Sequence, residues 1–335
     1  MTDHADRHHD IIAIGGSLGA VEAVKRLCMA LPGDLAAAVL VTIHVGARGQ
    51  DLLGSIFNEA GPLAAATARD GEAVCPGRIY VAPADHHLLT IDGVIRLGRG
   101  PRENMARPAI DPLFRSVAVE YGPRVIGVVL TGLLDDGAAG LADVKRRGGV
   151  TVVQSPTDAE ARDMPLDALN ASDVDHVAPL RRLPSLLAQL SREPVGTAAP
   201  APADMRLEVD IALGRQVGTA DIEKLADPAA LSCPTCGGVL SQMRRPPLRF
   251  RCQVGHGFSA QTLASKAGDA VDEALSVSLR ILQERLNLAE KMAEDARRSG
   301  RHAAAAATEE RAEEYKRYAY IINRALEGEE PMRVP

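Results

Sequence analysis

The feature that most constrains this chain is an alternation in its first half. Residues 11–15, 36–44, 78–82, 125–132 and 150–154 are short apolar or near-apolar runs bounded by glycine, proline or polar residues. Runs of that length without a polar face suit strands covered on both sides of a parallel sheet. Helix-like stretches at 18–31, 51–59, 111–121, 138–147 and 182–190 lie between or after them. Strand–helix alternation predicts an α/β class with an open, mostly parallel, doubly wound sheet. Residues 87–97, with a turn at Asp92-Gly93, read as an appended antiparallel hairpin.

Composition enters where it excludes. Aromatics are 3% of the 335 residues and tryptophan is absent, so the core is aliphatic and a base-stacking nucleic-acid platform is not expected. The formal charge of −6 supplies no basic field, so nucleic acid is not an expected partner. No apolar run approaches the ~18 residues of a membrane span, so membrane insertion is not expected. The first ten residues form a polar, histidine-rich tail without the apolar core of a secretory signal. Five cysteines are too few for a disulfide scaffold, which points to a reducing, cytoplasmic setting.

The expected domain pattern is a tail over 1–10, an α/β domain over 11–190, a linker over 191–205 rich in proline and alanine, a small Cys/His segment over 206–258, and a helical hairpin over 259–328. Apolar residues recur at threes and fours from Val271 to Ala293 and again from Tyr315 to Leu326, with a break at Ser299-Gly300. That spacing predicts two antiparallel helices whose simplest use is docking on the domain or self-association with a second copy.

The first predicted strand ends in Gly15-Gly16-Ser17-Leu18-Gly19-Ala20. A phosphate cradle is disfavoured, because the loop has neither the G-x-G-x-x-G nor the G-K-[ST] spacing. A serine nucleophile on a tight strand-to-helix turn is the other reading, and a serine needs a base to take its proton. The second strand ends in His44. If the two strands are neighbours, about 4.8 Å apart, Ser17 and His44 project from adjacent tips. The fourth run passes into Leu133-Leu134-Asp135-Asp136-Gly137, so Asp136 or Asp135 can supply the orienting acid. Backbone N–H groups of the helix starting near Leu18 could hold an oxyanion. Each residue alone has a plain use: a serine cap, a strand-end histidine, a turn aspartate.

Together, Ile14-Gly15-Gly16-Ser17, Ile43-His44, Val81-Ala82-Pro83-Ala84-Asp85-His86-His87, Arg107-Pro108-Ala109-Ile110-Asp111-Pro112-Leu113-Phe114 and Leu130-Thr131-Gly132-Leu133-Leu134-Asp135-Asp136-Gly137-Ala138-Ala139-Gly140 resemble the chemotaxis protein-glutamate methylesterases, the CheB type. The resemblance spans 11–190. It implies hydrolysis of γ-glutamyl methyl esters on cytoplasmic helices of chemoreceptors, with deamidation of receptor glutamines in many members and no cofactor for catalysis. It makes Ser17 the nucleophile, His44 the base, Asp136 rather than Asp135 the acid, and Leu133 an oxyanion donor. This sequence departs from the family where Leu18-Gly19-Ala20 replaces Thr-Gly-Gly, where Leu133-Leu134 replaces Met-Gly, and where Val45 replaces Met. Family members commonly carry a receiver domain before the esterase, for which ten residues ahead of the first strand leave no room.

Cys233, Cys236, Cys252 and His256 give C-x₂-C-x₁₅-C-x₃-H, the ligand spacing of a closed, tetrahedral structural zinc site. Cys28 and Cys75 read as packed thiols. Arg244, Arg245, Arg249 and Arg251 around Phe250 read as solvated surface. As a basic arm on a zinc ribbon they support the rival reading, a scaffold or nucleic-acid-binding module with little catalysis.

Overall fold

The computed structural model describes residues 8–44, 52–197 and 199–327. Most of the expected N-terminal tail, Val45, the start of the helix expected at 51 and the last residue of the expected hairpin lie outside those residues. In chain order the elements are β1 (Ile11–Gly16), α1 (Ala20–Ala30), β2 (Ala38–Ile43), α2 (Leu53–Ala60), β3 (Ala64–Thr67), β4 (Arg78–Val81), β5 (His87–Ile91), β6 (Val94–Gly98), α3 (Ile110–Tyr121), β7 (Val125–Val129), α4 (Ala138–Arg146), β8 (Val150–Gln154), α5 (Asp163–Ala171), β9 (His176–Ala178) and α6 (Leu183–Leu190). There follow α7 (Ala203–Leu213), α8 (Thr219–Leu225), β10 (Ala226–Ser232), β11 (Val239–Met243), β12 (Arg249–Cys252), β13 (Gly257–Ser259), α9 (Ala260–Arg298) and α10 (His302–Leu326).

Seven strands form one parallel sheet in the order β3-β4-β2-β1-β7-β8-β9. Side chains alternate along each strand, and the two sets belong to different cores. Ile12 and Ile14 of β1, Val39 and Val41 of β2, and Ile126 and Val128 of β7 join Leu27 of α1, Phe57 of α2 and Leu187 of α6. Ile11, Ala13, Leu40, Val125 and Val129 join Phe114 of α3, Leu141 of α4 and Met164 of α5. The sheet is therefore covered on both faces, as its continuous apolar runs require. The hairpin β5–β6 turns at Asp92 and Gly93 with φ of 53° and 73°, the pair of positive values that a two-residue I′ turn needs.

The strand order reverses between β1 and β7: the next strand after β1 lies on one side of it, and β7 lies on the other. In an open α/β sheet the crevice at the carboxyl ends beside that reversal is where ligands bind. The loops 17–19 and 130–137 flank it.

Helices α7 and α8 occupy the stretch ahead of the cysteines. The four-stranded antiparallel sheet β10-β11-β12-β13 carries Cys233 in the loop after β10 and Cys252 at the end of β12. The chain divides into two compact units, Met1–Leu263 and Ala264–Pro335. In the second unit α9 and α10 meet around Gly300, whose φ is 72°. They pack through Ala289, Ala293, Ala296, Ala305 and Ala312, with Arg297 paired to Glu309 and Arg285 lying over Tyr315.

Candidate active site

Ser17 follows β1 directly. Its N–H donates to the Thr131 carbonyl at 3.0 Å, tying the loop after β1 to the loop after β7. α1 then begins at Ala20, two residues later than the sequence pattern suggests, because Gly19 takes a left-handed φ of 78° and turns the chain. A side chain at Gly19 would also meet Glu160, whose Oε2 would stand 2.6 Å from the added Cβ. His44 follows β2, and its N–H donates to the Gly16 carbonyl at 3.3 Å. The parallel register Gly16↔Ile43 thus sets Ser17 and His44 side by side at neighbouring strand tips. No hydrogen bond joins their side chains among the described residues. Both are partly buried.

Asp136 lies across from His44, and its Oδ2 is 2.7 Å from His44 Nε2. The same oxygen accepts the Ile110 N–H at 2.7 Å. Oδ1 accepts from Asn104 Nδ2 at 2.9 Å, Gly137 N–H at 3.0 Å and Asp111 N–H at 3.3 Å. Ile110 and Asp111 open α3, so the carboxylate sits on the positive end of that helix. Burial alone would raise this carboxyl. The bond and charge of His44, the Ile110 N–H and Asn104 outweigh it and hold Asp136 below the usual carboxylate range. A carboxylate on Nε2 fixes the imidazole with Nδ1 as the nitrogen free to take a proton. Asp135 turns away, and its Oδ1 accepts from Ser259 Oγ at 2.6 Å and Thr262 Oγ1 at 3.1 Å.

Two residues that the sequence reading did not single out support this loop. Asp111 Oδ1 accepts the N–H groups of Gly137 at 3.1 Å and Gly140 at 2.6 Å. Asn104, with φ of 49°, bridges Asp111 Oδ2 and Asp136 Oδ1. Asp111 lies in the Arg107–Phe114 motif, which carries a sequence signal for it. Asn104 precedes that motif and has none.

The backbone N–H groups of Leu18 and Leu133 have no partner among the described residues, and both side chains are 50% exposed. Gly132 packs against Ser17, where an added Cβ would stand 3.0 Å from Ser17 Cβ. Leu134, where the family carries glycine, holds a φ of 59°.

A second cluster of functional type gathers in the four-stranded sheet. The ligand atoms of Cys233, Cys236, Cys252 and His256 all lie within 4.8 Å of one another. Cys236 Sγ is 3.7 Å from Cys252 Sγ, and His256 Nδ1 is 3.4 Å and 3.8 Å from Cys252 and Cys233 Sγ. A tetrahedral zinc with its usual bond lengths needs edges of about 3.8 Å between sulfurs and about 3.6 Å between sulfur and nitrogen. The donor set and its spacing therefore fit a metal ion. Burial, with Arg251 and Arg102 nearby, lowers the proton affinity of His256, which favours the neutral ring that a ligand must present.

Of the arginines around Phe250, Arg244 is exposed, as a solvated surface residue would be, whereas Arg245, Arg249 and Arg251 are withdrawn from solvent. Arg249 and Arg251 are buried and paired with Glu208, and Arg251 also with Glu103. Arg245 reaches Asp204 and Glu208, and Arg244 pairs with Asp227. Each of the four is thus paired with at least one carboxylate. His87 is a core histidine, with Nε2 3.1 Å from the Pro101 carbonyl and Nδ1 accepting the Ala109 N–H. Asp85 is bonded to Arg99 and Arg107, which bring its carboxyl down to about 2. Cys28 is buried, which pushes its thiol up to about 11, but Cys75 is exposed and is not a packed thiol. It stands on a surface loop, where its N–H donates to the Tyr80 hydroxyl.

A doubly wound sheet with serine, histidine and a hydrogen-bonded carboxylate gathered at its carboxyl-edge reversal defines an α/β protein with a hydrolase-type site. The chain belongs to the CheB methylesterase family, whose model matches residues 12–187. It is 37% identical over 187 residues to a protein-glutamate methylesterase/protein-glutamine glutaminase of Xanthomonas campestris pv. campestris, covering 55% of this chain and 52% of that protein. A protein of the same name from Yersinia pestis is 37% identical over 186 residues, covering 54% and 53%. The match thus spans about half the length of these relatives. The fold is similar to the CheB methylesterase catalytic domain of Thermotoga maritima, with a TM-score of 0.52 and 29% identity, covering 54% of this chain and 98% of that one.

Proposed function

We propose that this chain hydrolyses γ-glutamyl methyl esters on helical receptor segments, with Ser17 as nucleophile, His44 as general base and Asp136 as the acid that orients it. The observation that carries this is the 2.7 Å contact between His44 and Asp136 beside Ser17, in a chain of this family. In the proposed reaction Ser17 Oγ attacks the ester carbonyl as its proton passes to His44 Nδ1. The charge that develops on the carbonyl oxygen is held by the Leu18 and Leu133 N–H groups. Collapse breaks the C–O bond to the methoxy group, which leaves as methanol with the proton from His44. Water then attacks the glutamyl–Ser17 ester, giving its proton to His44, and the glutamate carboxylate departs as Ser17 recovers its own. Deamidation of glutamine follows the same course with ammonia leaving. No step calls for a cofactor.

The metal supported by the cysteine cluster is proposed to be zinc in a structural role, because four protein ligands leave no open position. No described helix is long and apolar enough to cross a membrane. A receptor segment carrying methylated glutamates is the proposed partner, and the cytoplasm, where such segments lie, is the proposed compartment. Release of methanol from a methylated receptor fragment tests the reading. It is expected with the wild-type chain and absent with Ser17→Ala, and equal release by both would overturn it.

A further inference from the structure

The metal-ligand loops touch the chain that holds Asp136. Gly257, next to the ligand His256, donates its N–H to the Arg102 carbonyl at 3.2 Å and accepts the Asn104 N–H at 2.9 Å. Ser259 N–H, at the end of the same strand, donates to Asn104 Oδ1 at 2.8 Å. From the other ligand loop, Thr235 Oγ1 lies 3.6 Å from Met105 Sδ. Met105 also packs on the cluster of Cys233, Leu240, Phe250, Cys252 and Phe258. Both ligand loops therefore bear on residues 102–105, and Asn104 carries that contact onward to Asp136 and Asp111.

The chemistry of the amide makes this linkage directional. The Asn104 oxygen must face the Ser259 N–H, and its nitrogen must face two carboxylates. A carboxylate in its place could accept but not donate, and would set a further negative charge beside Asp136. The left-handed φ of 49° at Asn104 is tolerated by asparagine better than by most residues, and the pairing with Gly257 holds it there.

We propose that the metal-bound ribbon is a working part of the active site. By closing on the four ligands, the metal fixes the loop at Gly257 and Ser259. That loop fixes Asn104, and Asn104 is a positioning residue that aims Asp136 at His44. Metal occupancy thereby sets the competence of Ser17. The inference rests on the serine-hydrolase reading for its consequence in activity, but the path from metal to Asp136 stands on contacts alone.

The test uses the full chain loaded with zinc, the same chain after chelation, and Asn104→Gly, which keeps the backbone conformation and loses only the side-chain amide. Two signals are followed: the low-field N–H proton of the His44–Asp136 hydrogen bond by NMR, and the rate at which a fluorophosphonate labels Ser17. In the zinc-loaded wild type the low-field proton is expected and labelling is fast. Chelation is expected to abolish the proton and slow labelling on the order of 10²-fold, as small misplacements of catalytic groups do, with both restored by added zinc. Asn104→Gly with zinc bound is expected to match the chelated wild type and to lose little more on chelation, since the two changes act through one path. The proposal is overturned if either chelated wild type or zinc-loaded Asn104→Gly keeps both signals. It is also overturned if chelation unfolds the α/β domain cooperatively, because the effect would then not run through Asn104. A low-field proton that responds as described while Ser17 is unlabelled in every form would instead remove the hydrolase reading and leave the linkage standing.

Discussion

The negative charge beside His44 is held by Asn104 and the first N–H groups of α3, from distant parts of the chain, and by the neighbouring Gly137 N–H. None of them is a charged side chain, so Asp136 stays ionised without a cation that could compete with the imidazolium. Asp136→Asn preserves the shape but offers an amide nitrogen to a ring that then takes the wrong tautomer. A fall of about 10⁴-fold in turnover is expected from that change, checked by steady-state methanol release, and a fall under tenfold would speak against the assigned role. Leu134 presents a different problem. Its φ of 59° costs a leucine about 1–2 kcal/mol relative to a right-handed backbone, and glycine adopts it freely. Leu134→Gly is expected to keep or raise the melting temperature, whereas the same change at Leu133, which has no positive φ, lowers it. Thermal unfolding of the two variants side by side decides, and equal losses would mean the turn is not strained.

At the scale of elements, α3 and the loop into α4 are joined by Asp111, and this join is sensitive to pH. Burial first, and the neighbouring Asp136 charge second, push the Asp111 carboxyl up to about 8. In the unfolded chain the group titrates near 4. Between those values the folded state binds the extra proton, so this contribution to stability is full below about pH 4, falls as pH rises, and is gone above about pH 8. Asp111→Asn, a neutral stand-in for the protonated form, is expected to flatten the decline in melting temperature between pH 5 and 8, and an unchanged slope would refute the shift. The sequence made the elements around this join readable because β1, β2, β7 and β8 are long apolar runs with sharp ends. It hid β3 and β9, short edge strands with the sequences Ala64–Thr67 and His176–Ala178, which carry little β-branched character. It hid α7 as well, because Pro202 and the alanines around it read as linker, and because Glu208 lies on the buried side of that helix. A charged residue at a core position breaks the apolar period, and only the fold reveals the four arginines that neutralise it. For the same reason the arginine run read as surface. Ser17, His44 and Asp136 were legible as candidates because Ser17 and His44 directly follow β1 and β2 and Asp136 lies in the loop between β7 and α4. Asn104 was not, since the ribbon residue that its side chain meets, Ser259, lies 155 residues further on.

On the scale of the molecule, the α/β domain and the ribbon form one compact unit ending at Leu263, joined through charges that lie out of water. Glu208, fully buried, meets Arg115 from α3, Arg245 from the stretch after β11, and Arg249 and Arg251 from β12. Glu208→Gln leaves those cations short of a counter-charge and is expected to cost about 3–5 kcal/mol, read as a lower denaturation midpoint. A loss within about 0.5 kcal/mol, ordinary for a surface site, would show that the cluster does not hold the ribbon in place. The ribbon itself should copurify with close to one equivalent of zinc, and elemental analysis finding none would remove the metal from the account. The proposed nucleophilic role of Ser17 can be read by rapid-quench mass spectrometry. The chain is mixed with a peptide bearing a γ-glutamyl methyl ester and stopped within a turnover. One glutamyl peptide joined to Ser17 is expected for each methanol released in the first turnover, with neither signal in Ser17→Ala. Methanol released at an equal rate by Ser17→Ala, with no adduct on Ser17 in the wild type, would contradict it.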